Sequence, residues 1–194
     1  MRSSNIIAVD NSLNSPGLAC FIDGKLVIAE RVKPKHTSDT TIMRALETAH
    51  LVCSRVVRDK VLAAMIARGD YNVVMEMPQI YNAKTSKANP NQLLPVAIVG
   101  GMIAARLVST QEIFAYTPHE WIGNLPKSTK GDPRESPRGA RIWATLNPAE
   151  KQISDGKNHD AFDAIGLGLY HLGRLAKRAK VISDGTLPDH AWKE

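Results

Sequence analysis

Only two of the 194 residues are cysteines, Cys20 and Cys53, and they lie far apart, without the short spacings of metal knuckles or redox pairs. That excludes a disulfide framework and a zinc ribbon. Both thiols are expected to be small core residues of a reducing compartment. The sequence also lacks a long uninterrupted apolar run. Its best candidate, "LLPVAIVGGMIAARLV", is broken by Pro95 and by Gly100-Gly101 and contains Arg106, and no charged-then-apolar leader opens the chain. These absences predict a soluble, cytoplasmic protein. Neither a repeat nor a linker divides it, so residues 1–182 are expected to form a single domain, with a loosely ordered tail over 183–194.

What the chain does have is basic charge. Its 25 Lys and Arg residues outnumber 19 Asp and Glu, giving a formal net charge of +6. This balance suggests a polyanionic partner, with an uncommitted basic surface as the alternative.

The hydrophobic pattern gives an alternation of elements. "NIIAVD" is a short run rich in β-branched residues that stops at Asp10, which predicts a buried strand with an acid at its end. The runs "LACFI" and "KLVIAERV" flank Asp23-Gly24, a strong hairpin signal. From Thr41 to about Ala67, Ile42, Leu46, Ala49, Val52, Val56, Val57 and Leu62 recur at helical spacing, so one long amphipathic helix ending at Gly69 is expected. "YNVVMEM" reads as a fourth strand carrying Glu76. A polar, basic loop follows, and then a helix from near Leu94 with Pro95 in its first turn. "EIFAYTP" is a fifth strand and "PHEWIGNL" a short turn or helix. Pro126 to Gly139 is expected to be a mobile surface loop, "ARIWATL" a short helix, and "KNHDAFDAIGLGLYHLGRLAKRAKV" the last helix. Together these predict an α/β fold with a five-stranded mixed sheet flanked by helices.

Asp160 and Asp163 stand three apart at the head of that last, otherwise apolar helix. Residues i and i+3 share a helix face, so the two carboxylates point the same way. At an effective dielectric near 20 they repel by roughly 3 kcal/mol, and something must offset this. Taken alone, the pair reads first as a helix-start anion beside an exposed Asp, with a metal or acid/base site as the alternative, and Asp10 alone as a turn residue. Glu76 is harder to dismiss, because it sits in a nearly continuous apolar run where acids are seldom buried without a partner. If strands one and four are neighbours, all four acids meet at one sheet edge. Such a set suits hard divalent cations. Two ions about 3.5–4 Å apart activate water and stabilise the leaving oxygen in phosphodiester hydrolysis.

In order along the chain, "IIAVDNS", the "GLACFIDGKLV" hairpin, "VVMEMPQIYNAK" and "NHDAFDAIGLGLYH" resemble the RuvC family of Holliday junction resolvases, within the RNase H-like superfamily. The resemblance implies an RNase H-like fold and a crossover junction endodeoxyribonuclease. It implies a homodimer that nicks four-way DNA junctions symmetrically in recombination and repair, using two Mg²⁺ ions with Mn²⁺ substituting. Carried over by position, Asp10, Glu76, Asp160 and Asp163 are the catalytic, metal-binding acids. The helix with Gly100-Gly101 is expected near the dimer interface. Tyr81 is the candidate aromatic wedge into the junction, and Lys84, Lys87, Lys127, Lys130, Arg134 and Arg138 are candidate backbone contacts. His159 either orients water or phosphate or is structural. Arg174, Lys177, Arg178 and Lys180 either add contacts or form a solvated helix end.

Three other readings remain open at this point. One is a related nuclease for replication forks or rRNA precursors, since the acids do not encode substrate. Another is a junction-binding protein without catalysis. The third is the phosphate-binding opening of actin-like ATPases, for which the chain is too short to hold the duplicated fold.

Overall fold

The computed structural model describes residues 3–78, 90–107, 112–123, 125 and 131–175, so the expected tail lies outside it. Five strands form one sheet: β1 (Ile6–Asp10), β2 (Gly17–Ile22), β3 (Lys25–Arg31), β4 (Asn72–Glu76) and β5 (Glu112–Tyr116). Their spatial order is β3-β2-β1-β4-β5. β1 to β3 form an antiparallel meander, whereas β1–β4 and β4–β5 pair in parallel. β1 is apolar on both faces because it is central and covered on both sides. The β2–β3 turn is of the primed kind that Asp-Gly favours, with φ of 50° at Asp23 and 71° at Gly24.

Alternation along the strands sorts their side chains between two layers. Ile7, Val9, Cys20, Val73 and Met75 pack with α1 (Thr41–Arg58), α2 (Lys60–Arg68) and α3 (Pro90–Arg106). Ile6, Ala8, Ala19, Phe21 and Val74 pack on the other face. They meet α4 (Pro118–Trp121), α5 (Pro137–Thr145) and α7 (His159–His171), with α6 (Pro148–Ser154) beside β3. Cys20 and Cys53 are free and buried, as expected, and burial pushes both thiols up from their ordinary values.

Several expectations need correction. The long helix is two, because Asp59 adopts an extended conformation and its carboxylate caps the N–H groups of Val61 and Leu62, starting α2 afresh. Ile42 and Val57 face outward, 61% and 50% exposed, while Ala45, Thr48 and Cys53 complete the buried face. α3 begins at Pro90 rather than near Leu94, with Pro90 in the position where its missing N–H is harmless, and it carries Pro95 inside. The region from 126 to 139 is not wholly a surface loop: a single 3₁₀ turn (Pro133–Glu135) and the start of α5 occupy its second half, capped by Asp132 and Ser136. α6 was not anticipated, although Asn147-Pro-Ala-Glu150 is a capping box and forms as one. The last helix stops at His171, where Gly173 at φ 71° turns the chain and the N–H groups of Arg174 and Leu175 return to the Leu169 carbonyl.

Candidate metal and nucleic-acid site

The sheet brings the acids to one edge and one face. β1 and β4 pair in register through Val9 opposite Met75, and Asp10 and Glu76 are the next residues, each ending its strand. Val9 and Met75 point into the α1–α3 layer, so alternation turns Asp10 and Glu76 toward the layer that holds α7. The same cross-strand row continues outward: Gly17 lies opposite Asp10, Arg31 opposite Gly17, and Tyr116 opposite Glu76.

α7 enters over this row. Asn158 caps it, accepting from the N–H of Ala161 at 3.2 Å, which places Asp160 in the first turn and Asp163 one turn in. The helix start sits directly on Gly17, where an added Cβ would lie 1.9 Å from the Asp160 carbonyl oxygen. Glycine is therefore required there so that two backbones can touch.

The four carboxylates share the edge without pooling their oxygens. Glu76 Oε2 accepts from the indole N–H of Trp121 at 3.0 Å, and the Glu76 carbonyl accepts from the side-chain amide of Asn11 at 2.9 Å. Asn11 is pressed against α3 at Gly100, where a Cβ would come within 2.6 Å of its Nδ2. Asp160 Oδ2 accepts from Asn158 at 3.3 Å and lies 3.9 Å from the Arg31 guanidinium. Asp163, only 3% exposed, takes Arg138 Nη1 on both oxygens at 3.3 and 3.2 Å. Among the described residues, no three His, Cys, Asp or Glu side chains form a ready-made metal nest.

The donor set nevertheless fits a hard divalent cation. All four candidates offer carboxylate oxygen, and the two acids of α7 each face a cationic group of the chain itself, so the site accepts positive charge.

Of the proposed nucleic-acid contacts, the wedge Tyr81 and Lys84, Lys87, Lys127 and Lys130 lie outside the described residues, as do Lys177, Arg178 and Lys180. Arg134 is held by the Asp132 carboxylate and by Asp155 at 3.0 Å. Its hydrogen bonds keep the Asp132 carboxyl below its ordinary value. Arg138 turns inward to Asp163, and Arg174 is clamped on buried Glu150 at 2.6 and 2.7 Å. Neither Arg134, Arg138 nor Arg174 is therefore an uncommitted surface cation. His159 opens α7 with its Nε2 enclosed and, among the described residues, without a hydrogen-bond partner. Sequence reasoning did not place Arg31, Trp121 or Asn11 in the site. The signal for Arg31 was its register opposite Gly17, while nothing local pairs Trp121 with Glu76.

No protein-family model and no curated protein matches the chain. Solved structures do. The structure titled "T. thermophilus RuvC in complex with Holliday junction substrate" superposes with a TM-score of 0.57 at 15% identity, covering 87% of this chain and 92% of that one. A second, "Thermus thermophilus RuvC structure", gives 0.52 at 13% identity over 89% and 98% of the two chains. The chain has the RuvC fold. This RNase H-like sheet, with its helices on both faces, is the frame on which the edge of Asp10, Glu76 and α7 stands. Among the described residues, no helix is long and apolar enough to cross a membrane.

Proposed function

We propose that this chain is a metal-dependent endonuclease that resolves four-way DNA junctions as a homodimer, by paired, symmetric phosphodiester hydrolysis. One observation carries the reading: Asp10 and Glu76 end adjacent parallel strands and face the helix that begins with Asp160 and Asp163, on a RuvC-type sheet. Those four acids would hold the divalent metal, two Mg²⁺ ions per site with Mn²⁺ able to substitute. When bound, it supplies Lewis acidity to the phosphodiester and makes water a stronger nucleophile near neutral pH.

The chain's own groups supply the rest. Asp10 is central to the cluster because its strand lies between β2 and β4. The Trp121 indole and the Asn11 amide fix the side chain and the backbone of Glu76, so that this acid is aimed before substrate arrives. Water attacks phosphorus, the bond to the leaving oxygen breaks, and the proton given up by the water passes through solvent while the departing alkoxide takes one up from solvent. Tyr81 stacks at the junction centre, while Lys84, Lys87, Lys127 and Lys130 bind the sugar–phosphate backbone, which makes affinity salt-dependent. The second copy docks on α3, whose outer side exposes Leu94, Ala97, Gly101 and Ala105. Gly100 is explained within the chain by Asn11, whereas a Cβ at Gly101 meets nothing within 4 Å, which leaves that face open to close approach by the partner.

The test is cleavage of a labelled four-way junction beside a linear duplex of the same arm sequence, with Mg²⁺ or Mn²⁺ and with chelator, by wild type and Asp10→Asn. Paired nicks confined to the junction, dependent on metal and lost in the variant while binding persists, support the proposal. Cleavage only of forks or structured RNA replaces the substrate and keeps the chemistry. Junction binding without any cleavage supports the architectural reading instead.

A further inference from the structure

Arg138 is the second residue of α5, and its guanidinium points inward. Nη1 is shared between the two oxygens of Asp163 at 3.2 and 3.3 Å, Nη2 reaches the Leu125 carbonyl at 3.5 Å, and the guanidinium carbon lies 5.8 Å from the centre of the Trp121 ring. Side-chain exposure is 16% for Arg138 and 5% for Asp163. In this position the guanidinium is poorly used. Nη1 is divided between two long bonds, and among the described residues Nε is enclosed with no acceptor. A guanidinium placed only to stabilise the fold presents its planar fork to a carboxylate in two parallel bonds and leaves no enclosed N–H unmatched. Arg174 on Glu150 does the former in this same chain, with Nη1 and Nη2 each on a separate oxygen at 2.7 and 2.6 Å.

The carboxylate that Arg138 occupies is one of the four proposed to hold the metal. Nη1 spans both Asp163 oxygens, so a hard cation that takes either oxygen competes with the guanidinium for it. An arginine cannot leave by losing its proton, because it stays charged throughout the working pH range, so it has to move. We infer that Arg138 is a built-in counter-cation of the acid site: it occupies Asp163 while the metal is absent and yields the carboxylate when the metal enters. The released guanidinium then faces the phosphodiester that the metal has brought to the same edge. Trp121 links this exchange to the rest of the site, since its ring lies under Arg138 and its N–H holds Glu76. The inference rests on the proposed function, and its test separates the two.

Mn²⁺ binding is measured by titration calorimetry on the full chain without DNA, for wild type, Arg138→Gln and Arg138→Lys. Removing one positive charge from beside a divalent ion is expected to tighten Mn²⁺ about tenfold in Arg138→Gln. Arg138→Lys keeps the charge and is expected to stay near wild type. Equal or weaker binding by Arg138→Gln overturns the inference, because the guanidinium would then be organising Asp163 rather than competing for it. Should that variant fail to fold, the wild-type chain decides through its arginine Nε–Hε NMR signals, with the Arg138 signal assigned by its loss in Arg138→Lys. Saturating Mg²⁺ is expected to shift that signal, and Mg²⁺ binding that leaves it unmoved refutes displacement. A wild-type chain that takes up no Mn²⁺ or Mg²⁺ overturns the reading of the acids themselves, and the exchange with it.

Discussion

Gly17→Ala tests whether α7 belongs to the site. The added Cβ would lie 1.9 Å from the Asp160 carbonyl oxygen and 2.5 Å from its carbon, whereas real Cβ contacts are essentially never under 3.0 Å. The start of α7 must therefore retreat by at least about 1.1 Å, the difference between 3.0 and 1.9. No flexible side chain can absorb this, because the obstacle is backbone at both ends: Gly17 is paired with Asp10 and with Arg31, and α7 is anchored by buried Phe162, Ile165, Leu167 and Leu169. Overpacking of this kind costs about 1–3 kcal/mol, and a backbone obstacle puts the expected loss near the upper end. The effect on chemistry should be larger. Asp160 and Asp163 ride on the displaced turn, and a misplacement near 1 Å typically costs about a hundredfold in rate. Urea unfolding would read the first effect and junction cleavage by folded protein the second. An unchanged urea midpoint would refute the packing argument. Lost stability with cleavage within about twofold of wild type would show that the acids of α7 take no part.

Two further outcomes follow from features away from the acids. Burial alone would raise the carboxyl of Glu150, but hydrogen bonds from Arg174 and from the N–H groups of Leu26 and Asn147 outweigh it and hold it at about 2 against an ordinary 4.5. A depressed carboxyl stabilises the fold above its unfolded value and loses that contribution as pH falls from about 4.5 toward about 2, here about 3 kcal/mol. Wild type and Glu150→Gln should thus differ in unfolding free energy at pH 5.5 and converge near pH 2, and parallel curves would remove the clamp from the account. Leu94, 62% exposed on α3, is the apolar centre of the proposed dimer face. Leu94→Lys is expected to give a monomer by analytical ultracentrifugation, folded as wild type and deficient in paired nicking; a stable dimer would move the interface elsewhere.

Much of the frame was legible because it depends on local chemistry. Strand periodicity, the Asp23-Gly24 turn and acids that interrupt apolar runs at Asp10 and Glu76 each write themselves into a few adjacent residues, and the observed sheet contains all five strands expected. The errors fall where two local signals compete. Asp59 sits in a pattern that is helical by hydrophobicity, yet its carboxylate offers the next turn a better partner than the preceding turn does, and the cap prevails. From 126 to 139 the prolines and charges signal a loop. Pro133 and Pro137, however, occupy first-turn positions that favour proline, so the same residues start structure instead of preventing it.

The site divides along the same line. Once β1 and β4 are known to be parallel neighbours in register, alternation alone puts Asp10 and Glu76 on the side of α7, and a sequence can suggest this before any coordinates exist. The partners that α4 and α5 bring to the acids are not legible in this way. Arg138 lies 25 residues from Asp163, and Trp121 lies 45 from Glu76. They meet only because α4 and α5 are folded back over the same sheet face as α7. A charged residue in a proline-rich stretch looks like a contact for DNA, and its inward turn depends on a tertiary decision. The consequence is chemical as well as structural. An acid cluster read from sequence looks like a bare metal site, whereas in the folded chain Asp160 faces Arg31 and Asp163 holds Arg138. Four carboxylates can then fold together without the metal, because part of the repulsion among them is met by the chain's own guanidinium groups. In the proposed exchange of cations, metal affinity at this edge is set by what the arginines give up as much as by what the acids offer.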